Sequence, residues 1–393
     1  MEQNLKTLEN ALRVCYLPAL QNQLGIEPAA ILGKIAQTKL QGHLVETTAP
    51  IGLSGGFGYG AEGAATPASG GQRYEKFKTE SRDLYVNITI SEKAIRLGNT
   101  STGALVNALD SEVNAAYVTA KWNVGRSLYG NGTGILTTCK AANASATIDV
   151  DDTKFLKEGL IVDIYEKDAV PGDTPTVATV RIKAIDRVNK KVTFYGTGVT
   201  VGEGFITVQN SYGREITGIG TIFDDSIKTI YGLSKEDNPF LIPTSYDAEG
   251  DIRDGIITKA LRDSDEYHGG AVDTLIFGNR AYDAYVEYLR DNNIRVEHKE
   301  LKGGFKAIKY DFGNREIDVI NESFVPDNEM WGIDTKSFEL QTSGWDFARD
   351  KDGSAFTLME GTSSHRALLA NYGDLVCKNP GACIRIYGVA PTV

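Results

Sequence analysis

Residue clusters of the kind most chemical functions need are missing from this sequence. Four cysteines, Cys15, Cys139, Cys377 and Cys383, lie far apart with no Cys-x-x-Cys pair. That argues against a disulfide framework or a zinc site and leaves buried free thiols as the expectation. The four histidines, His43, His268, His298 and His365, are isolated from one another and from cysteine. A metal needs convergent ligands, so no metal site is expected. No apolar run reaches the length that crosses a bilayer. Lys and Arg total 41 against 52 Asp and Glu, a net charge of -11, with no basic cluster of the kind that grips nucleic acid. The opening Met1–Lys6 lacks the charged-then-apolar layout of a secretion signal, which predicts a chain made and kept in a cytoplasm-like setting.

Motifs that carry chemistry are equally scarce. Gly58-Tyr59-Gly60-Ala61-Glu62-Gly63 has the letters of G-x-G-x-x-G. A dinucleotide site needs a strand before that run and a helix after it, whereas here glycine precedes and small residues follow. Asp350-Lys351-Asp352-Gly353 resembles the start of a calcium loop but lacks the remaining acids. Asp151/Asp152 and Asp224/Asp225 are adjacent in sequence, as in solvated loops. Asn87-Ile88-Thr89 and Asn131-Gly132-Thr133 spell glycosylation sequons that mean nothing without secretion. No serine elbow, catalytic-cysteine signature, kinase set or Walker loop occurs. No catalytic, cofactor or metal residue is assigned.

What the chain does hold is ordered architecture, in 393 residues of which 41% are hydrophobic, enough for two or three packed units. Residues 1–20 carry Leu5, Leu8, Leu12 and Cys15/Tyr16 at helical spacing, with Pro18 read as the stop. A second helix is expected from Pro28, with Ile31, Leu32, Ile35 and Leu40 on one side. Residues 52–71 hold eight glycines, too much backbone freedom for a packed element. Val86, Ile88 and Ile90 then alternate with polar residues as in a half-buried strand. Residues 49–88 are read as a long two-stranded extension. A lone hairpin is marginal in water, so the extension needs a surface to lie on.

The strongest helix runs from Thr102 to Tyr129, with Leu105, Leu109, Val113, Tyr117, Ala120, Val124 and Leu128 as its stripe. It should be about 40 Å long and stop at Gly130-Asn131-Gly132-Thr133-Gly134. Five short strands at 146–150, 160–165, 177–185, 191–195 and 205–209 suggest a small β-rich insertion across 141–210. Helices at 251–262 and 279–291 alternate with strands at 273–278, 305–310, 316–320, 330–333 and 338–341. Further strands are expected at 366–372, 375–377 and 382–387.

Four stretches carry a resemblance. They are Ile88-Thr89-Ile90-Ser91-Glu92-Lys93-Ala94-Ile95, Gly125-Arg126-Ser127-Leu128-Tyr129-Gly130-Asn131-Gly132, Thr229-Ile230-Tyr231-Gly232-Leu233-Ser234 before Asn238-Pro239, and Lys302-Gly303-Gly304-Phe305-Lys306-Ala307-Ile308-Lys309-Tyr310. In this order, across essentially the whole chain, the sequence resembles the tailed-bacteriophage major capsid family, the Hong Kong ninety-seven type. The resemblance implies an α+β fold. It has an N-terminal arm (1–48), an extended loop (49–88) and a peripheral domain (89–140) with a spine helix. An inserted β-domain (141–210), an axial domain (211–343) and a peripheral return (344–393) follow.

It further implies self-assembly as hexamers and pentamers into an icosahedral head that encloses double-stranded DNA without specific binding, the virion being built in the host cytoplasm. An acidic wall suits that role, since it does not adhere to phosphates. The stretch before residue 49 is short for a cleaved scaffold, so a separate scaffolding protein is expected beside a portal, with room for a decoration protein. Tyr74, Lys76, Phe77, Lys78, Gly58 and Gly60 are the expected inter-subunit contacts. No cross-link partner is identified for Lys76 or Lys78. The rival readings are an encapsulin-type nanocompartment shell and a soluble α/β enzyme.

Overall fold

The computed structural model describes residues 12, 16–52, 55–63, 65–93, 102–196, 198–292, 298–302, 305–349 and 353–390. Most of the helix expected at 1–20, the Ala94–Ile95 approach to the long helix, Gly303-Gly304 and the Asp350–Asp352 turn lie outside these residues. The chain is an α+β protein that divides into two units, residues 1–122 with 222–393, and residues 123–221.

In the first unit, helix α1 spans Leu17–Ile26. Pro18 therefore stands in the first turn of this helix. In the first turn its missing N–H has no intrahelical partner to lose. Residues 27–35 form turns, not the helix expected from Pro28. Ala29, Ala30, Ile31, Leu32 and Ile35 are nevertheless buried, so the apolar spacing marks a compact turn pressed into the core. Strand β1 (Ala36–Lys39) follows.

Helix α2 is Thr102–Tyr129, with the bounds its period predicts. Val113 and Ala120 are buried while Val118 is exposed, the signature of a one-sided stripe; Leu105 and Leu109 lie outside the described side chains. Glu27, just past α1, accepts from Tyr117 and pairs with Lys121 at 3.1 Å. Tyr117 and the lysine together hold the Glu27 carboxyl below its ordinary range against the opposing effect of burial.

Two sheets organise this unit among the described residues. In the six-stranded one, strand Ser364–Cys377 is the spine. β4 (Arg82–Ser91) pairs antiparallel along one edge, and Phe338–Thr342, Asp346–Phe347 and Phe356–Leu358 pair along the other. β1 adds parallel to Phe338–Thr342. Ser364–Cys377 is one strand where two were expected. Gly373, between the two expected strands, lets the neighbouring strand close in: a Cβ there would stand 2.2 Å from the Gln341 carbonyl.

The second sheet has seven strands in the order Thr244–Gly250, Ile384–Val389, Met330–Ile333, Thr274–Phe277, Arg315–Asn321, Lys306–Phe312 and His298–Glu300. Helices α3 (Asp254–His268) and α4 (Asn279–Asp291) lay Ile257, Leu261, Ala281 and Tyr285 onto Leu275, Phe277, Val319 and Ile384. Ala30 packs with Ala307 and Ile320, and Lys34 bonds Thr274 at 2.7 Å and pairs with Asp318 at 2.5 Å. With helices and the 27–35 turn both packed on this sheet, Thr274–Phe277 is buried along its whole length.

Two expected boundaries therefore shift. Phe338–Thr342, placed with 211–343, belongs to the six-stranded sheet. Ile384–Val389, placed in the 344–393 return, lies between Thr244–Gly250 (parallel) and Met330–Ile333 (antiparallel). A buried turn at Pro380–Ala382 carries the chain from one sheet to the other.

The second unit is wider than the expected 141–210, because Ile135–Cys139 pairs with Gly204–Val208. Its six-stranded sheet runs Ile135–Cys139, Gly204–Val208, Ile161–Glu166, Val177–Asp186, Lys191–Phe194 and Thr147–Asp149. A bridge from Cys139 to Val150 joins the first strand to the last, with Lys140 N–H to Asp149 O at 3.0 Å. These contacts curl the sheet round into a small barrel that meets at one corner. Val162, Ile164, Ile182, Val192 and Ile206 fill it. Buried Arg126 and Glu215 form a two-pronged ion pair, and Ile219 N–H donates to Leu128 O at 2.8 Å. The entry and exit of the unit are thus stapled together.

Candidate functional site: the β extension

Strands β2 (Leu44–Ile51) and β3 (Arg73–Glu80) form an antiparallel ladder from Leu44↔Glu80 to Ile51↔Arg73. The extension thus begins before residue 49 and ends at residue 80. β4, counted into it by sequence, belongs to the six-stranded sheet. Side chains alternate across the ladder. Val45, Ala49 and Phe77 point inward and are buried; Glu46, Thr48, Pro50, Tyr74, Lys76 and Lys78 share the other face.

The base of this hairpin lies on its own chain. Phe77 is 0% exposed and meets the edges of Tyr231 and Phe240, with ring centroids 5.9 and 6.5 Å away. Its assignment as an inter-subunit contact is therefore corrected: Lys76 and Lys78 on either side of it mark the outward face of β3, and Phe77 alternates to the inward one. Lys78 N–H donates to the Tyr231 carbonyl at 3.0 Å. Thr79 Oγ1 donates to buried Asp374 at 2.6 Å, and Gln341 Nε2 reaches the Glu46 carbonyl at 3.3 Å. On the outer face Lys76 and Lys78 flank Glu46 at 2.5 and 3.6 Å. The hydrogen bond from Lys76 is the main reason the Glu46 carboxyl sits below its ordinary range. Tyr74 is 61% exposed, facing Pro50 across the ladder.

Beyond Ile51 and Arg73 the chain has no strand structure among the described residues. Gly55 and Gly70 cross so closely that a Cβ on Gly70 would stand 2.7 Å from the Gly55 backbone, an approach only glycine allows. A Cβ on Gly58 would touch Pro67 at 3.0 Å, whereas one on Gly60 would meet open space. Between them stand Phe57 and Tyr59, 81% and 96% exposed, edge to face at 5.4 Å. The site residues expected from sequence thus separate into Phe77 in the core, Tyr74, Lys76 and Lys78 on the outer face, and Gly58 and Gly60 at the tip. Phe57, Tyr59, Tyr231, Phe240 and Asp374 were not anticipated. The Gly-Phe-Gly-Tyr-Gly run at 56–60 was a readable sign of the first two; the others act only through folding.

No family model matches the sequence, and no curated protein does. Solved structures do. A chain of the cyanophage A-1(L) capsid asymmetric unit superposes with a TM-score of 0.53 at 11% identity, covering 93% of this chain and 93% of that one. The fold is that of a phage capsid subunit. Two other matches are the capsid of an empty GTA particle (TM-score 0.47, 11% identity, 93% and 91% covered) and the SrpI encapsulin of Synechococcus elongatus (0.44, 7%, 91% and 86%). The capsid fold implied by the sequence resemblance is the one found. Within it, the tip of the extension leaves Phe57 and Tyr59 exposed among the described residues.

Proposed function

We propose that this chain is the major capsid protein of a tailed phage. It tiles as hexamers and pentamers into the icosahedral head that encloses double-stranded DNA, with no catalytic role. The observation that carries the reading is the capsid fold along 93% of both chains. The extension supplies the mechanism. Its base is fastened to the subunit, and its tip offers two bare aromatics, which favour burial by about 2–3 kcal/mol each. A patch that seeks a different patch on an identical subunit gives head-to-tail contacts, and these close into rings when the rotation permits. The tip therefore lies on an adjacent subunit in the ring, with Tyr74, Lys76 and Lys78 along its outer face. A separate scaffolding protein, a portal and a decoration protein are the partners this role calls for, and the net charge of -11 keeps the wall from binding the DNA it holds.

Negative-stain electron microscopy of the purified protein, alone and co-expressed with a scaffolding protein, tests this. Shells, tubes or five- and six-fold rings are expected. A monomer under every condition, co-expression included, would refute it.

A further inference from the structure

Among the described residues six non-glycine residues have positive φ, and five of them, Ala144, Thr179, Lys190, Asn210 and Glu249, are not part of the buried apolar core. The sixth is Tyr231, with φ 52°, and it is buried. It sits with Gly232 (φ 79°) in the two-residue loop between Thr229–Ile230 and Leu233–Ser234. Positive φ at both central positions marks a type I′ hairpin turn, where Asn-Gly is the favoured pair. A bulky aromatic in the left-handed region is strained, and such strain persists only where surrounding contacts over-determine it.

Those contacts converge on the extension. The Tyr231 carbonyl accepts from Lys78 N–H at 3.0 Å, its ring meets Phe77, and its hydroxyl accepts from Cys377 N–H at 3.0 Å. One residue therefore ties β3 to strand Ser364–Cys377 through backbone, ring and hydroxyl together. Thr79 to Asp374 is the only other side-chain hydrogen bond seen between these two strands among the described residues.

We infer that Tyr231 is a strained latch, a positioning residue that fixes the base of the extension to the subunit body and so sets the direction in which the tip leaves it. The turn itself would be better served by Asn; tyrosine is needed for what its side chain holds. Burial is the main reason the phenol is held well above its ordinary range.

Hydrogen exchange read by mass spectrometry on the full-length, unassembled protein tests this. Tyr231→Asn keeps a residue suited to the turn and removes the ring and hydroxyl contacts. Tyr231→Phe removes only the acceptor for Cys377 N–H. In Y231N, exchange across 44–51 and 73–80 is expected to rise by at least about tenfold, with 274–277 and 330–333 unchanged. In Y231F the rise is roughly fivefold, the loss of one hydrogen bond. Unchanged protection of 73–80 in Y231N would overturn the inference. So would equal loss of protection in 274–277, since Tyr231 would then be an ordinary core residue. Because no assembly is needed for this readout, the latch and the shell reading stand or fall separately.

Discussion

At the base of the extension Phe77 is shut away from water, while at its tip Phe57 and Tyr59 stand almost wholly in it. The same hairpin thus holds apolar residues in opposite states. The base is built like any core, with alternating inward residues, an aromatic trio and a buried Asp374 bonded to Thr79. The tip is built like an interface half, with glycines that cross backbone to backbone and exposed aromatics that meet edge to face. Stability should reside in the first and association in the second. Experiments that damage one without the other are the sharpest tests of that division.

Deleting 52–71 should have the largest effect. Shells, tubes and rings disappear in electron microscopy, while the thermal midpoint of the subunit stays within a degree or two, because no described residue of that segment is buried. Normal particles from the deletion would break the comparison outright. Phe77→Ala attacks the other end. Truncating a fully buried Phe costs about 3–5 kcal/mol, read as a lower denaturant midpoint of the unassembled subunit. A Phe77→Ala protein of parental stability would mean that the base is not packed as described.

The sequence disclosed these two ends unequally, for physical reasons. Local periodicity is written along the chain, so α2 and α4 were legible to the residue and the glycine run announced the tip. Pairing across the chain is not. Nothing near Ile384 says that it lies between Thr244–Gly250 and Met330–Ile333. Nothing near residues 135–139 says that a barrel closes through Cys139 and Val150. Phe77 was misread because Lys76 and Lys78 flank it, and charge along a strand reports only the outward face. Tyr231 was invisible as a latch because its type I′ turn lacks the usual Asn-Gly pair.

The double substitution Phe57→Ser with Tyr59→Ser is gentler than the deletion and more specific. It keeps the length and glycine content of the tip and removes only the two anchors. Stability of the free subunit should move by less than about 0.5 kcal/mol, as for exposed sites generally. The protein concentration needed for assembly, read by light scattering, should rise at least about tenfold, the loss expected when central aromatic anchors are truncated. An unchanged threshold would place the association energy on the outer face, at Tyr74, Lys76 and Lys78.

The smallest effect belongs to the charges, and it divides along the same line of burial. Glu46 is only half-buried at the base's outer face, where salt screens its pairs with Lys76 and Lys78. Asp318 is buried. Desolvation alone would raise its carboxyl, but hydrogen bonds and charge from Lys34 and Lys299 prevail and hold it below the ordinary range. A carboxyl depressed in the folded state adds stability above its unfolded value, about 3.9 for Asp, and that stability is lost as pH falls through the folded value. Asp318→Asn should therefore lower stability at pH 7 by about 2 kcal/mol, the scale of hydrogen bonds to a charged group. The gap to the parent should close below about pH 3.9. Glu46→Gln should leave the urea midpoint where it was at either pH. A Glu46→Gln midpoint that fell as far as that of Asp318→Asn would show that the outer face of the base is covered in solution, and the boundary between base and tip would have to be redrawn there.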